Sequence, residues 1–223
     1  GTKREELSVS EQKKQTDSNE LVERKLDDVV TLGKELFMIF GDKCLRLHFL
    51  MNGSHRISES GNMVLTGKKI PPVLEVYFGP TVLFFYESSF DVRSSEQCIS
   101  RFEELKDVDI CSPTFNQKRV VAMVTEQKGR QLCDVLLDQN ILPGVGNIIK
   151  NEALFDSGIN PCVRVDQLKP NHISHIIKMT RDFTMIFYKF YQLSRSMPRG
   201  LVKNQLVERI LIIPVNPAVK GYR

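Results

Sequence analysis

Apolar positions along this chain change their spacing once. From residue 28 to about residue 89 they come in short runs, at 29–31, 35–40, 44–50, 73–78 and 82–86, with 90–93 as a further short candidate. Gly33, Gly41-Asp42, Asn52-Gly53, Gly61-Asn62 and Gly79-Pro80 punctuate them, so the runs read as strands joined by turns. Leu45, Leu47 and Phe49 alternate with Arg46 and His48, the period of a strand with one wet face. Short, regularly spaced strands predict an antiparallel sandwich or barrel.

After about residue 98 the period becomes helical. Helices are expected at 99–105, 115–126, 130–137 and 147–157. Ser112-Pro113-Thr114 gives a start signal, and Gly158 followed by Pro161 gives a stop. Residues 170–192 carry the longest amphipathic pattern, through Ile173, Ile176, Ile177, Met179, Phe183, Ile186, Phe187 and Phe190. The fold class is therefore α+β, a β-sandwich followed by a helical domain. Residues 1–20 read as a polar, disordered arm, 21–98 as the β domain, 99–195 as the helical domain and 196–223 as a divergent tail. Within the tail, 206–215 suits a strand or an apolar extension, and Pro198, Pro214 and Pro217 oppose a long helix.

Composition narrows the function. A chain of 223 residues holds one large or two small domains. A formal charge of +4 permits a polyanionic partner without requiring one. The five cysteines are widely spaced, with no Cys-x-x-Cys pair and no Cys/His zinc spacing. They read as reduced, mostly buried thiols of an intracellular protein, with no metal implied. No segment is long and apolar enough to span a bilayer, and no signal peptide is visible.

The stretch 142–155 carries the most chemistry. Pro143, Gly144 and Gly146 form a tight turn into an amphipathic helix. Such a turn bares backbone N–H groups where the helix dipole adds positive charge, and a phosphate fits there. Asn147, at or near the N-cap, is placed to donate to a phosphate oxygen, and Lys150 lies one turn along. The plainer alternative is that the glycines serve packing, Asn147 only caps its helix and Lys150 is a solvated surface residue. Asp138 and Glu152 read as local capping and surface charges.

Two further pieces belong with this turn. Lys34, in the first apolar strand after Gly33, is suited to orient a substrate or form a Schiff base if partly desolvated and near a phosphate. In 48–54, Asn52-Gly53 signals a hairpin that leaves Met51 at its rim, able to push into a base stack, and His48 facing a phosphate. Each has a bland counterpart: an exposed strand lysine, a core methionine, a surface histidine.

Together, residues 136–161 resemble the helix–two-turn–helix signature of the formamidopyrimidine-DNA glycosylase and endonuclease VIII family, in particular its vertebrate endonuclease VIII-like branch. Residues 32–37, 48–54, 104–113 and 178–188 look similar to the same relatives. The resemblance implies removal of oxidised bases from DNA, often followed by β-elimination at the abasic site. It implies that DNA lies between a β-sandwich and the helical domain. By the same resemblance Lys34 matches a lysine that contacts phosphate near the lesion and supports lyase chemistry. Asn147 matches the phosphate-binding asparagine, Met51 the residue that fills the gap left by an everted base, and His48 a phosphate contact of some members. Damaged DNA, single- or double-stranded, is the implied partner, with no cofactor, no membrane contact, a monomeric state and a nuclear location.

The family nucleophile is the amine of an N-terminal Pro or Val followed by Glu and Gly. The start Gly1-Thr2-Lys3-Arg4-Glu5-Glu6 does not match it. No Cys occurs in 196–223, so a zinc hairpin is not expected there, and an arginine hairpin is not evident around 90–93. These departures imply a truncated or alternatively spliced member, either an active glycosylase with a divergent start or a catalytically silent DNA-binding form. Pro-Gly-Val-Gly also occurs in helix–hairpin–helix modules, which would not need the strand-rich first half.

Overall fold

The structure is a computed structural model that describes residues 20–58, 70–193 and 217–221. Residues 1–19 of the expected arm and the apolar stretch 206–215 lie outside the described residues. The chain divides into two compact units. One comprises Gly1–Thr31, Glu35–Ile99 and Pro198–Arg223, the other Leu32–Lys34 and Ser100–Met197.

The first unit is built on one sheet. Its strands are β1 (Asp28–Leu32), β2 (Glu35–Phe40), β3 (Lys43–Ser58), β4 (Leu74–Phe78), β5 (Thr81–Ser94) and β6 (Pro217–Gly221), in the order β1-β2-β3-β5-β4-β6. Leu36, Met38 and Phe40 of β2 share one buried cluster with Leu74, Val76 and Phe78 of β4. Two strands separate β2 from β4, so these side chains meet only if the sheet curls on itself. The two layers of the expected sandwich are thus the two ends of one curled antiparallel sheet.

Two turn assignments are corrected. Asn52-Gly53 is no hairpin: β3 runs through it, paired to β5 on both sides, from Phe49↔Ser88 to Ser54↔Tyr86. Leu50, Met51, Asn52 and Gly53 face only Glu87, which makes a wide bulge. Apolar alternation resumes at Ile57, so the partner strand continues instead of turning back. Likewise 90–93 is the far end of β5, because Phe90 keeps its side chain in the same core opposite Leu47.

The second unit is helical. Its elements are α1 (Ser95–Leu105, which begins in the first unit), α2 (Gln117–Thr125), α3 (Leu132–Leu137), α4 (Asn147–Asp156), a 3₁₀ turn (Val165–Gln167) and α5 (Pro170–Leu193). Ile173, Ile176 and Ile177 of α5 are buried, as are Val120 and Val124 of α2 and Ala153 and Leu154 of α4. Thr180 and Thr184, also buried, donate to the carbonyls of Ile176 and Thr180, which satisfies both hydroxyls inside the helix. Asn116 caps α2 by accepting from Arg119 N at 3.1 Å. The first helix starts earlier than its apolar period shows, because Ser95, Glu96 and Gln97 add a polar opening turn.

Lys34 is not in a strand. With Gly33 it forms the two-residue turn between β1 and β2, and this turn belongs to the second unit. Gly33 N donates to Asp109 Oδ2 at 2.5 Å, and Cys111 N donates to Asp109 Oδ1 at 2.8 Å. Ile110 N donates to Pro143 O at 3.0 Å. A Cβ on Gly33 would stand 2.6 Å from Gly144 N, and Gly33 itself has φ +53°. Only glycine meets both demands.

Gly33→Ala is therefore expected to destabilise the chain by more than about 3 kcal/mol, as left-handed strain adds to a backbone collision. Gly79→Ala, at φ +57° with nothing within 4 Å of its Cβ position, should cost only about 1–2 kcal/mol. Urea unfolding of the two variants checks this, and equal losses would contradict the close approach.

Candidate nucleic-acid interface

The loop between α3 and α4 is held from within. Ile141, Leu142 and Val145 are buried and pin it to the helical core. The side chain of Gln139 braces its interior. Its amide donates to Leu137 O at 2.8 Å and Val145 O at 3.0 Å, and its carbonyl accepts from Gly144 N at 3.0 Å. Leu142 N donates to Asp138 O at 2.9 Å, and Val145 N to Leu142 O at 3.5 Å. Gly144 is therefore not an open amide, against the sequence expectation. At φ +96° it turns its N–H inward, and its missing side chain makes room for Ile110 and Gly33. It is a packing glycine.

The open amides lie one step later. Gly146 takes the N-cap position of α4 with no side-chain cap, and Asn147 is the first helical residue rather than the cap. Among the described residues, the N–H groups of Gly146, Asn147 and Ile148 have no protein acceptor. These are the orphan donors of a helix start, reinforced by the macrodipole. Asn147 is exposed, and its Oδ1 accepts from Lys150 Nζ at 3.3 Å, which leaves its amide NH₂ to donate outward.

Lys34 completes the arrangement. A Cβ at Gly146 would meet only this side chain, Nζ at 3.1 Å and Cε at 3.6 Å. The ammonium thus sits directly over the uncapped start of α4. Burial pushes its pKa below the ordinary lysine value, by withdrawing water from the ammonium. A desolvated cation beside unpaired amides is an arrangement chemically suited to an anion. The structure brings Lys34, Gly146, Asn147 and Lys150 together.

His48 and Met51 belong to the first unit. His48 is half-buried in β3, opposite Glu35 of β2 and Ser89 of β5. Met51 stands in the β3 bulge instead of at a hairpin rim, and its side chain lies outside what the structure describes. Near 90–93, Arg93 pairs with Asp91 at 2.7 Å, and Arg46 reaches both Asp91 and Glu35.

Three residues that set the site were not singled out from sequence: Asp109, Gln139 and Arg181. Arg181 of α5 donates to Ile110 O and to Ser112 O (2.9 Å for the latter), and its guanidinium lies over the Phe115 ring at 5.2 Å. It thereby fixes the loop that carries Asp109. Asp109 did leave a signal, as an acid between two fully buried apolar residues, Val108 and Ile110. Gln139 and Arg181 left none, because their partners are backbone groups, within six residues for Gln139 and about seventy away for Arg181, and a side chain's choice of backbone partner leaves no mark in the sequence. The thiols are also more open than expected: Cys44 and Cys98 are buried, Cys111 and Cys133 half-buried and Cys162 exposed. Among the described residues no group of three or more His, Cys, Asp or Glu is arranged to hold a metal ion, and no helix is long and apolar enough to cross a membrane.

Comparison with known proteins agrees with this geometry. Residues 108–185 match the family described as the formamidopyrimidine-DNA glycosylase H2TH domain. Endonuclease 8-like 3 of Xenopus laevis is 50% identical over 163 residues, 72% of this chain and 26% of that protein. The chain thus spans about a quarter of the length of that curated relative. Two solved structures share the fold. A viral DNA glycosylase superposes with TM-score 0.65 at 19% identity, covering 77% of this chain and 70% of its own. The Lactococcus lactis formamidopyrimidine-DNA glycosylase bound to DNA containing an abasic site gives 0.59 at 21% identity, covering 82% and 68%. With its helix–two-turn–helix residues and half of its matched positions shared with such a relative, this chain belongs to the formamidopyrimidine-DNA glycosylase and endonuclease VIII family.

Proposed function

We propose that this chain is the DNA-gripping core of a repair glycosylase that removes oxidised bases from nuclear DNA, with abasic-site lyase chemistry, and that it works as a monomer. The observation that carries this reading is the Lys34 ammonium over the open amides of Gly146 and Asn147. One phosphate of the damaged strand fits between them. Its charge replaces the water that Lys34 has lost, and its oxygens take the orphan N–H groups and the Asn147 amide. Lys150 adds a second cation one turn along the helix. Backbone contacts of this kind hold DNA in register without reading sequence. Base excision then requires the target base to leave the stack, a gap that the bulge bearing Met51 is suited to fill.

The position of Lys34 also favours a second reading. An ammonium aimed at an anion site clamps phosphate, whereas a Schiff-base lysine must be neutral and aimed at a sugar carbon. The chain then binds damaged DNA without itself supplying the nucleophile. Borohydride trapping on DNA bearing an oxidised pyrimidine separates the two. A covalent adduct is expected for the glycosylase–lyase reading, and tight binding without an adduct leaves the binding form alone.

Lys34→Met should weaken DNA binding by about 1.5–3 kcal/mol, the loss of a charged hydrogen bond. It should also reduce the slope of log K against log salt by about 0.9, one phosphate's worth of released counterions. Asn147→Ala should weaken binding by about 1 kcal/mol and leave that slope nearly unchanged. Titration by fluorescence anisotropy at several salt concentrations checks both, and unaltered affinity in the double variant would remove the phosphate site from the mechanism.

A pH signature follows from the same lysine. Its folded pKa lies below the unfolded value of 10.5, so the folded chain releases this proton first. The cost of burying the cation is present in full at neutral pH and fades as pH rises through the lowered pKa. The stability gap between Lys34→Met and the unaltered chain should therefore favour the variant near neutrality and narrow in the alkaline range, as read by thermal unfolding. A gap that stays constant up to pH 10.5 would contradict the desolvated ammonium.

A further inference from the structure

Two cysteines of the second unit lie side by side across a pair of chain segments that embrace the phosphate loop. Leu132 N donates to Val163 O at 2.9 Å, and Cys133 N donates to Pro161 O at 3.2 Å. Gln131 bridges Arg164 in antiparallel fashion, and Val165 N donates to Arg130 O at 3.1 Å. The two carbonyls that flank Cys162 are thus held by the consecutive amides of residues 132 and 133. Cys162 is therefore set against the Cys133 backbone, and its sulfur is near enough to act on the Cys133 thiol, the adjacency that a disulfide needs. Cys162 is exposed and Cys133 half-buried, whereas Cys44 and Cys98 are buried.

We propose that Cys133 and Cys162 form a redox-closing dithiol, oxidised to an intramolecular disulfide by low-molecular-weight disulfides of the glutathione class. The surroundings assign an order to the two thiols. Burial first, and then the Asp134 carboxylate and the adjacent Cys162 sulfur, raise the Cys133 thiol above its ordinary range, with Lys150 opposing them. Cys162, open to solvent, exchanges first. Its thiolate attacks one sulfur of glutathione disulfide, the S–S bond breaks and one glutathione departs, leaving a mixed disulfide on Cys162. The Cys133 thiolate then attacks the Cys162 sulfur and displaces the second glutathione. Two protein thiols are oxidised, one glutathione disulfide is reduced, and the two protons end on the departing glutathiones. The new bond ties the first turn of α3 to the segment after α4 and closes a ring around residues 138–147. In a reducing compartment such an exposed bond forms and opens with the thiol balance.

The test exposes the full chain to glutathione disulfide, followed by intact-mass measurement and peptide mapping. The unaltered chain should lose two hydrogens, carry a cross-link between the peptides of Cys133 and Cys162, retain no glutathione on either, and revert with dithiothreitol. Cys133→Ser should trap one glutathione on Cys162, while Cys162→Ser should leave Cys133 unmodified. Oxidation should raise the melting temperature of the unaltered chain and not that of either variant. Stable glutathione on Cys162 of the unaltered chain, a cross-link mapping to other cysteines, or equal melting temperatures before and after oxidation would each overturn the proposal.

Discussion

The carboxylate of Asp109 accepts from Gly33 N through one oxygen and from Cys111 N through the other. That single group fixes the turn bearing Lys34 relative to the loop that starts α4. It holds because Gly33 and Gly144 lack side chains where their backbones approach and because both adopt positive φ. It also holds because Arg181 anchors the carbonyls of Ile110 and Ser112, just after Asp109 in the chain. A lysine has a long, flexible stem, so its charge is useful at a fixed point only when its backbone is fixed. Here the constraint lies in hydrogen bonds and steric fit one residue away from the charge.

Electrostatically, the Lys34 ammonium and the start of α4 bring positive charge to one place. Lys34 gives up water to burial, and the first amides of α4, two of them on exposed residues, have no acceptor among the described residues. Burying the lysine costs free energy. Gln139 shows the contrast within the same loop. It satisfies Gly144 N and Val145 O internally, so the unsatisfied donors are confined to the end that faces Lys34. The loop is thereby braced where it packs and open at the start of α4.

The two-turn loop carries both the family likeness and the open amides of α4. The resemblance rests on the string of residues around the two-turn loop, and the half-identity to Endonuclease 8-like 3 extends it across most of the chain. The physical reading assigns each of those residues its work. Gly144 packs and Gly146 stays open, although the two look alike in sequence. The same division separates Cys133 and Cys162 from the other thiols. Nothing in their spacing of twenty-nine positions announces a pair, and only the antiparallel contact of residues 131–133 with 161–164 makes them neighbours.

The sequence by itself determined the parts that depend on local period and propensity. The helix over 147–157, the long amphipathic α5 and the strand cores around Leu36–Phe40 and Leu74–Phe78 follow from apolar spacing, because burial of one face is what each element needs. It misread Asn52-Gly53 and Lys34, since a turn dipeptide inside a long strand becomes a bulge once a partner strand continues past it. The tertiary structure alone decided which backbone donors stay open. Whether a given N–H meets an acceptor depends on where folding brings that acceptor, as with the Asp109 carboxylate for Gly33, 76 positions away, and no local pattern encodes that meeting.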